Sequence, residues 1–195
     1  MQKFLLSVDR LSTRAGQISA FAVVLLTAMI CWEVVSRYIF NSPNDWVFDI
    51  SYMLYGVLFM MAGAYTLSKN GHVRGDVLYG FFQPRTQAAL DLLLYFVFFI
   101  PGIIALVYAG VNFAADSLAI NEHTTQTANG PPLYPYKMII PIAGGLLLIQ
   151  GFAEIIRCII CLKTGEWPKR EHDVEEVDVD KLKAMVSHED EKKGA

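Results

Sequence analysis

The chain has 195 residues, of which 54% are hydrophobic and 18% charged, and its formal net charge is −3. Because soluble proteins carry about 25% charged residues, this composition is tilted toward a membrane protein. The lysines and arginines form no basic face, which excludes nucleic acid as a partner. The three cysteines lie in apolar runs and predict no disulfide framework. Cys158 and Cys161 are interpreted as two small buried thiols.

Four apolar runs predict an all-α integral membrane protein. A helix needs about 20 apolar residues to cross about 30 Å of hydrocarbon. The first three runs contain uninterrupted uncharged stretches of 18, 19 and 24 residues. The first run is longer than the core of a signal peptide and lacks a cleavage site, so we expect it to be retained. The predicted transmembrane helices cover about residues 15–40, 46–68, 86–115 and 138–162.

Residues 1–165 are predicted to form one four-span membrane domain, in which Pro101 kinks the third helix. The remaining residues, 166–195, are rich in both acidic and basic side chains. Such a segment has too little apolar surface to fold by itself, so we expect a charged and largely disordered tail.

The distribution of lysine and arginine predicts the orientation of the four spans. From the N-terminus to the C-terminus, the five segments at the span ends carry 3, 1, 3, 1 and 8 of these residues. Positively charged segments stay preferentially on the cytoplasmic side. We therefore expect both termini and the middle loop in the cytoplasm, and the first and third loops outside.

A short charged stretch, residues 68–76, interrupts the apolar sequence between the second and third spans. Apolar residues then recur on one face of a short amphipathic helix, at Val73, Val77, Leu78, Phe81 and Phe82. Such a helix would lie in the membrane interface, with Arg74 and Asp76 toward headgroups or protein and His72 paired with Asp76. A plain turn with solvated charges is the simpler explanation of these residues alone.

Charged residues within the spans are candidates for function and are usually paired. Glu33 and Arg37 are four residues apart, and Glu154 and Arg157 are three apart, so each pair is predicted to form an ion pair on one helix face. All four lie near span ends, whereas proton coupling would need an unpaired carboxylate at mid-depth. The pattern favours helix pairing or partner contact over transport chemistry.

The sequence contains no nucleophile with a base, no metal-ligand cluster and no phosphate loop. We therefore expect neither an enzyme nor a cofactor. The polar third loop, with its prolines and tyrosines, is typical of a docking face for an external partner, and equally of a simple ordered loop.

Three blocks of sequence between about residues 20 and 162 carry a family resemblance. They are Ser36-Arg37-Tyr38-Ile39-Phe40-Asn41 with Trp46 and Asp49, then Gly63-Ala64-Tyr65 with Gly71-His72-Val73-Arg74-Gly75-Asp76-Val77-Leu78, and finally Pro135, Pro141-Ile142 and Gln150. Together they resemble the small membrane subunit (DctQ-like, Q-type small permease) of tripartite ATP-independent periplasmic (TRAP) transporters. The middle block is the most specific. Asp49 departs from the pattern, since the family more often has Glu there, but the charge is kept.

The resemblance implies partners and a place in the cell. The large multi-span membrane subunit carries the sodium and substrate sites, and a periplasmic binding protein delivers an organic acid. The small subunit would be a non-catalytic part of the static scaffold in the bacterial inner membrane and would help to dock the binding protein. Roles in subunit contact or helix anchoring are then expected for Arg37, Trp46, Asp49, His72, Arg74 and Asp76.

Two other hypotheses compete with this one. A self-sufficient, dimeric four-span transporter would use Glu33 as its proton-coupling acid, although Arg37 is a close helical neighbour. A membrane enzyme is disfavoured because no catalytic set is visible.

Overall fold

Long helices account for most of the part of the chain that the structure describes. A computed structural model describes residues 2–71, 79, 82–127, 130–168 and 170. Four helices are long and apolar enough to cross a membrane, which confirms the predicted all-α fold with four membrane-spanning helices. They are α1 (Gln2–Tyr38), α2 (Asp45–Ser68), α3 (Pro84–Ala119) and α4 (Tyr134–Thr164).

Helix α1 is longer than its apolar run. It begins at Gln2, well before the predicted span at about residue 15, because Lys3, Asp9 and Arg10 end the hydrophobic run without breaking the helix. At 1.5 Å per residue its 37 residues measure about 55 Å, nearly twice the hydrocarbon thickness. The first turns of α1 are therefore available for contacts outside the apolar core of a membrane.

Asparagines in the left-handed conformation follow three of the four helices. Asn41, Asn70 and Asn121 have φ angles of 52°, 54° and 48°. After α2, the Asn70 N–H donates to Leu67 O at 3.2 Å and the Gly71 N–H to Thr66 O at 2.9 Å. This is a Schellman motif, which satisfies carbonyls at the helix end. Asparagine suits the position because its short polar side chain tolerates positive φ.

Helix α3 is continuous but irregular. Its α-helical segments, Pro84–Leu94 and Ile100–Ala119, are joined by a π-helical turn at Tyr95–Phe99. Pro101 lies two residues after the end of this turn and has no N–H to donate. The wider turn is a recognised way to fit a proline or a bulky contact into a membrane helix.

Helix α4 contacts the other three helices, and α1 also packs along α2. Close approach depends on small residues: a Cβ on Gly16 of α1 would lie 2.4 Å from the Cβ of Tyr65 on α2. Few large apolar side chains are buried, and many others on all four helices remain exposed. Such surfaces suit lipid or another membrane protein.

The alternating helix directions define two ends of the bundle. The paired-loop end carries the first loop (residues 39–44) and the third loop (residues 120–133). The terminal end carries the start of α1, the end of α2, the start of α3 and the end of α4. The predicted interfacial helix, with His72, Arg74 and Asp76, falls on residues outside those that the structure describes, as does nearly all of the predicted tail.

Candidate partner-contact site

Glu33 organises the first loop at the paired-loop end. Its carboxylate accepts hydrogen bonds from Arg37 Nη2 at 2.8 Å and Nε at 3.1 Å. It also accepts the backbone N–H of Asn44 at 3.0 Å and the Asn44 side-chain amide at 3.2 Å. Asn44 immediately precedes α2, so this single carboxylate joins the end of α1 to the start of α2.

Ser36 completes this network one turn further along α1. Its hydroxyl donates to Ser42 O at 2.5 Å and accepts from the Asn44 amide at 2.9 Å. The first loop is therefore held by side chains from both helices. Glu33 and Arg37 do lie together, as their spacing predicts, and both Glu33 oxygens are engaged by neighbours. This geometry suits a structural anchor and does not support Glu33 as the coupling acid of a self-sufficient transporter.

Asp49 joins the third loop to α2. Its side chain is completely buried, and it accepts a hydrogen bond from the Thr124 hydroxyl at 2.9 Å and another from the Thr127 hydroxyl. A buried carboxylate is costly unless its oxygens are hydrogen-bonded. The two threonines supply that compensation from a loop 75 and 78 residues away in sequence. Asp49 is thus a tether for the third loop.

The third loop is further ordered by its own backbone. The Thr124 N–H donates to Pro131 O at 3.0 Å, and the Leu133 N–H donates to Glu122 O at 2.8 Å. His123 Nδ1 lies 2.8 Å from Gly130 O. Among the described residues of this loop, the arms therefore pair as a short antiparallel bridge between His123 and Pro132.

Glu122 and Lys137 tie the same loop to the first turn of α4. The Lys137 ammonium donates to the Glu122 carboxylate and lies 3.8 Å from the centre of the Phe113 ring on α3. The hydrogen bond from Lys137 lowers the pKa of Glu122 below its ordinary value. An ion pair and a cation–π contact thus share one buried lysine.

Between these anchored loops, large side chains face outward at the start of α2 and the end of α1. Trp46 is 47% exposed, and the Arg37 side chain is 55% exposed. Tyr38, Ile39 and Phe40 beside them are more exposed still. Of the predicted contact residues, Arg37 and Trp46 therefore remain available to a partner. Asp49 is buried and contacts the third loop of its own chain.

A second polar site, the terminal-end cluster, joins the start of α1 to the last turns of α4. It consists of Asp9, Ser12, Gln150, Glu154, Arg157 and Arg170, and the first five are nearly or fully buried. Gln150 accepts from the Ser12 hydroxyl at 2.8 Å and donates to Asp9 at 2.9 Å and to Glu154 at 3.2 Å. The Gln150 amide thus connects α1 to α4.

Arg157 makes two of the ionic contacts of the terminal-end cluster. Its two terminal nitrogens donate at 2.5 Å to Glu154 Oε1 on the same helix and to Asp9 Oδ2 on α1. Spacing predicts the Glu154–Arg157 pair, but not Asp9, which is 148 residues away. A weak signal for Asp9 exists, since it shares one helix face with the buried Leu5, Val8 and Ser12.

Tyr79 connects the middle of the chain to α3. Its hydroxyl donates to Asp91 Oδ2 at 2.8 Å, and its carbonyl accepts from the Gln87 amide at 3.0 Å. His72, Arg74 and Asp76 precede it outside the described residues, so their predicted contacts stay predictions. Within the described part of the chain, no group of three His, Cys, Asp or Glu side chains is placed to hold a metal ion.

A scan of protein-family models matches residues 26–160 to the family described as "Tripartite ATP-independent periplasmic transporters, DctQ component". The match covers more than half of the chain. The chain belongs to this family. The predicted resemblance to the DctQ-like small permease is thereby confirmed. A search of curated proteins finds no match. In this member of the DctQ family, residues 26–160 take in the Glu33 network, the Asp49 tether and most of α4, whereas Asp9 and Arg170 lie outside the match.

Proposed function

We propose that this DctQ-family chain is a non-catalytic scaffold subunit of a TRAP transporter, anchored beside a large membrane subunit and docking a periplasmic binding protein. The observation that carries the docking role is the buried Asp49, which holds the third loop on α2 through Thr124 and Thr127. Together with the Glu33 network, it makes the paired-loop end a pre-ordered surface. Pre-ordered surfaces lose less entropy on binding.

The large subunit is the proposed partner of the apolar helix faces. Phe48, Tyr55 and Phe59 form an exposed stripe on α2 at helical spacing, and Trp46 and Arg37 lie near its loop-end start. Aromatic and arginine side chains are enriched at protein interfaces. Scaffold contacts of this kind need no catalytic group and no cofactor.

Assembly is tested by co-expression with the large membrane subunit that the proposal requires. We expect the two to purify together in detergent, and we expect sodium-dependent uptake of an organic acid only when the binding protein is added to proteoliposomes that contain both. Uptake by this chain alone would refute the scaffold role. Uptake without any sodium gradient would refute the coupling ion only.

The docking role is tested at the paired-loop end. Asp49→Asn removes the charge that the two threonine hydroxyls stabilise and should loosen the third loop. A loss of about 1–2 kcal/mol of ordering free energy should weaken binding of the periplasmic protein about tenfold. The matched control is Asp45→Asn, four residues earlier on the same helix but exposed. Surface binding to the reconstituted pair measures both. Equal affinities for the two variants would contradict docking through this loop.

The cytoplasmic position of the terminal end and the bacterial inner membrane as location belong to the same proposal. They are supported by the 3, 1, 3, 1 and 8 distribution of lysine and arginine, which favours an orientation with the paired loops outside. A periplasmic partner then meets the paired-loop end, where the anchored loops lie.

A further inference from the structure

Among the residues that the structure describes, the terminal-end cluster contains four charged side chains whose signs cancel. Asp9 and Glu154 are the carboxylates, and Arg157 and Arg170 are the guanidinium groups. Asp9, Glu154 and Arg157 are each at most 3% exposed. Without Arg170, the buried set would hold two negative charges against one positive charge. A buried charge without a partner is strongly destabilising, so the fourth member matters.

Arg170 reaches the cluster from beyond the end of α4. Its Nη2 donates to Glu154 Oε2 at 2.7 Å, and its side chain is 7% exposed. Glu154 lies ten residues before the last residue of α4, which is about 15 Å back along the helix axis. The chain must therefore reverse its direction after α4. Gly165 makes the reversal with φ 85°, and its N–H donates to Cys161 O at 2.7 Å.

Trp167 fixes the returning segment on its other side. Its indole N–H donates to Gln87 Oε1 on α3 at 3.2 Å. Its ring packs against the buried cluster of Ala88 on α3 with Cys158 and Cys161 on α4. Within three residues, the segment thus contacts α3 through Trp167 and, through Arg170, the polar cluster shared by α1 and α4.

We infer that residues 165–168 with Arg170 form a strap that belongs to the membrane fold, and that this strap locks α1 and α3 onto α4 by supplying the second cation of the terminal-end cluster. The boundary between the fold and the charged tail then lies after Arg170 rather than at residue 165. This lock is independent of the proposed transport role, because all its partners are on this chain.

The first experiment compares two truncations of the chain in detergent. A chain that ends after Arg170 should unfold at the same temperature as the full chain, whereas a chain that ends after Thr164 should unfold about 5–10 °C lower, since it loses a buried ion-pair partner. Equal unfolding temperatures for all three would overturn the inference. So would an equal loss in both truncations, because the stabilising element would then lie beyond Arg170.

The second experiment uses point variants of the full chain and tests the charge balance. Arg170→Gln leaves one carboxylate in excess and should lower the unfolding temperature by about 5–10 °C, whereas Lys163→Gln, at an exposed position near the same end, should not. Glu154→Gln with Arg170→Gln removes one charge of each sign and leaves Asp9 with Arg157. Its loss should be smaller than the sum of the two single losses. Additive losses would show that the charges are not coupled.

The fluorescence emission of Trp167 reports on the strap locally. At temperatures below the unfolding transition, a general loss of stability leaves this emission unchanged. Replacing Trp32 and Trp46 by Phe leaves Trp167 as the single tryptophan of the chain. We expect Arg170→Gln in this background to shift the Trp167 emission to longer wavelength at 25 °C, because the strap moves into water. An unchanged emission maximum with a normal unfolding temperature would refute the strap.

Discussion

Single carboxylates at the paired-loop end act as tethers. Glu33 gathers Arg37 and Asn44, and Asp49 gathers Thr124 and Thr127. In each case a carboxylate on a helix holds a loop residue that is distant in sequence, 11 residues away for Asn44 and 75 for Thr124. Hydrogen bonds to charged groups are worth more than neutral ones, so one carboxylate can order a whole loop.

The Glu122 carboxyl group predicts that the stability of the folded protein depends on pH. The hydrogen bond from Lys137 lowers the Glu122 pKa in the folded state. A depressed carboxyl pKa contributes stability above the unfolded pKa, and this contribution is lost as the pH falls through the folded pKa. The wild type should therefore lose this part of its stability only in acid.

The measurement compares the thermal unfolding of the wild type and of Glu122→Gln between about pH 7 and about pH 3. At neutral pH the variant should unfold at the lower temperature, because it lacks the ion pair with Lys137. The difference should shrink toward zero in acid, where protonated Glu122 resembles glutamine. A difference that stays constant across this pH range would show that the pair does not titrate with Glu122.

At the scale of elements, the apolar runs predict the four helices well because a membrane-spanning helix is specified by uninterrupted length. The helix boundaries are harder to predict. Helix α1 continues back to Gln2 through charged residues, since a charge ends a hydrophobic run but not a helix. The π-helical turn before Pro101 likewise depends on how α3 packs, and the proline alone predicts only a kink.

Local spacing in the sequence does not reveal the contacts between distant elements in the two polar sites. The ion pair between Glu154 and Arg157 follows from their three-residue separation. Asp9 and Arg170 join this pair only because α1 and the returning chain pack against α4. The Asp49–Thr124 contact is of the same kind. One sequence indicates which residues are polar and share a helix face, and tertiary packing decides which faces meet.

The close contact between α1 and α2 depends on the lack of a side chain at Gly16. Gly16→Ala places a methyl group 2.4 Å from the Tyr65 Cβ, which requires the two helices to separate. Overpacking of this kind costs about 1–3 kcal/mol, or about 3–10 °C in unfolding temperature for a chain of this size. Thermal unfolding in detergent measures the loss. Gly145→Ala is the control, because nothing lies within 4 Å of its added Cβ, and a loss as large there would rule out steric contact as the cause.

At the scale of the whole molecule, the two polar sites occupy opposite ends of the bundle. At 1.5 Å per residue, Glu154 lies about 30 Å from the start of α4, which is the thickness of the hydrocarbon core. The terminal-end cluster and the anchored loops therefore bracket the apolar part of the helices. One end holds the helices together and the other presents ordered loops, which suits the proposed scaffold between a membrane partner and a soluble partner.

This arrangement makes the orientation of the whole chain testable with two cysteines. Ser42→Cys lies in the exposed first loop, and Glu166→Cys lies at an exposed position just after α4. In a background in which the native Cys31, Cys158 and Cys161 are replaced by Ser or Ala, a membrane-impermeant maleimide applied to spheroplasts should label Cys at position 42 and not at position 166. Labelling at position 166 should appear only after the membrane is permeabilised, because the terminal end carries most of the lysines and arginines. The reverse pattern would place the anchored loops in the cytoplasm and would remove them as a docking surface for a periplasmic protein, while leaving the helix contacts and the strap unchanged.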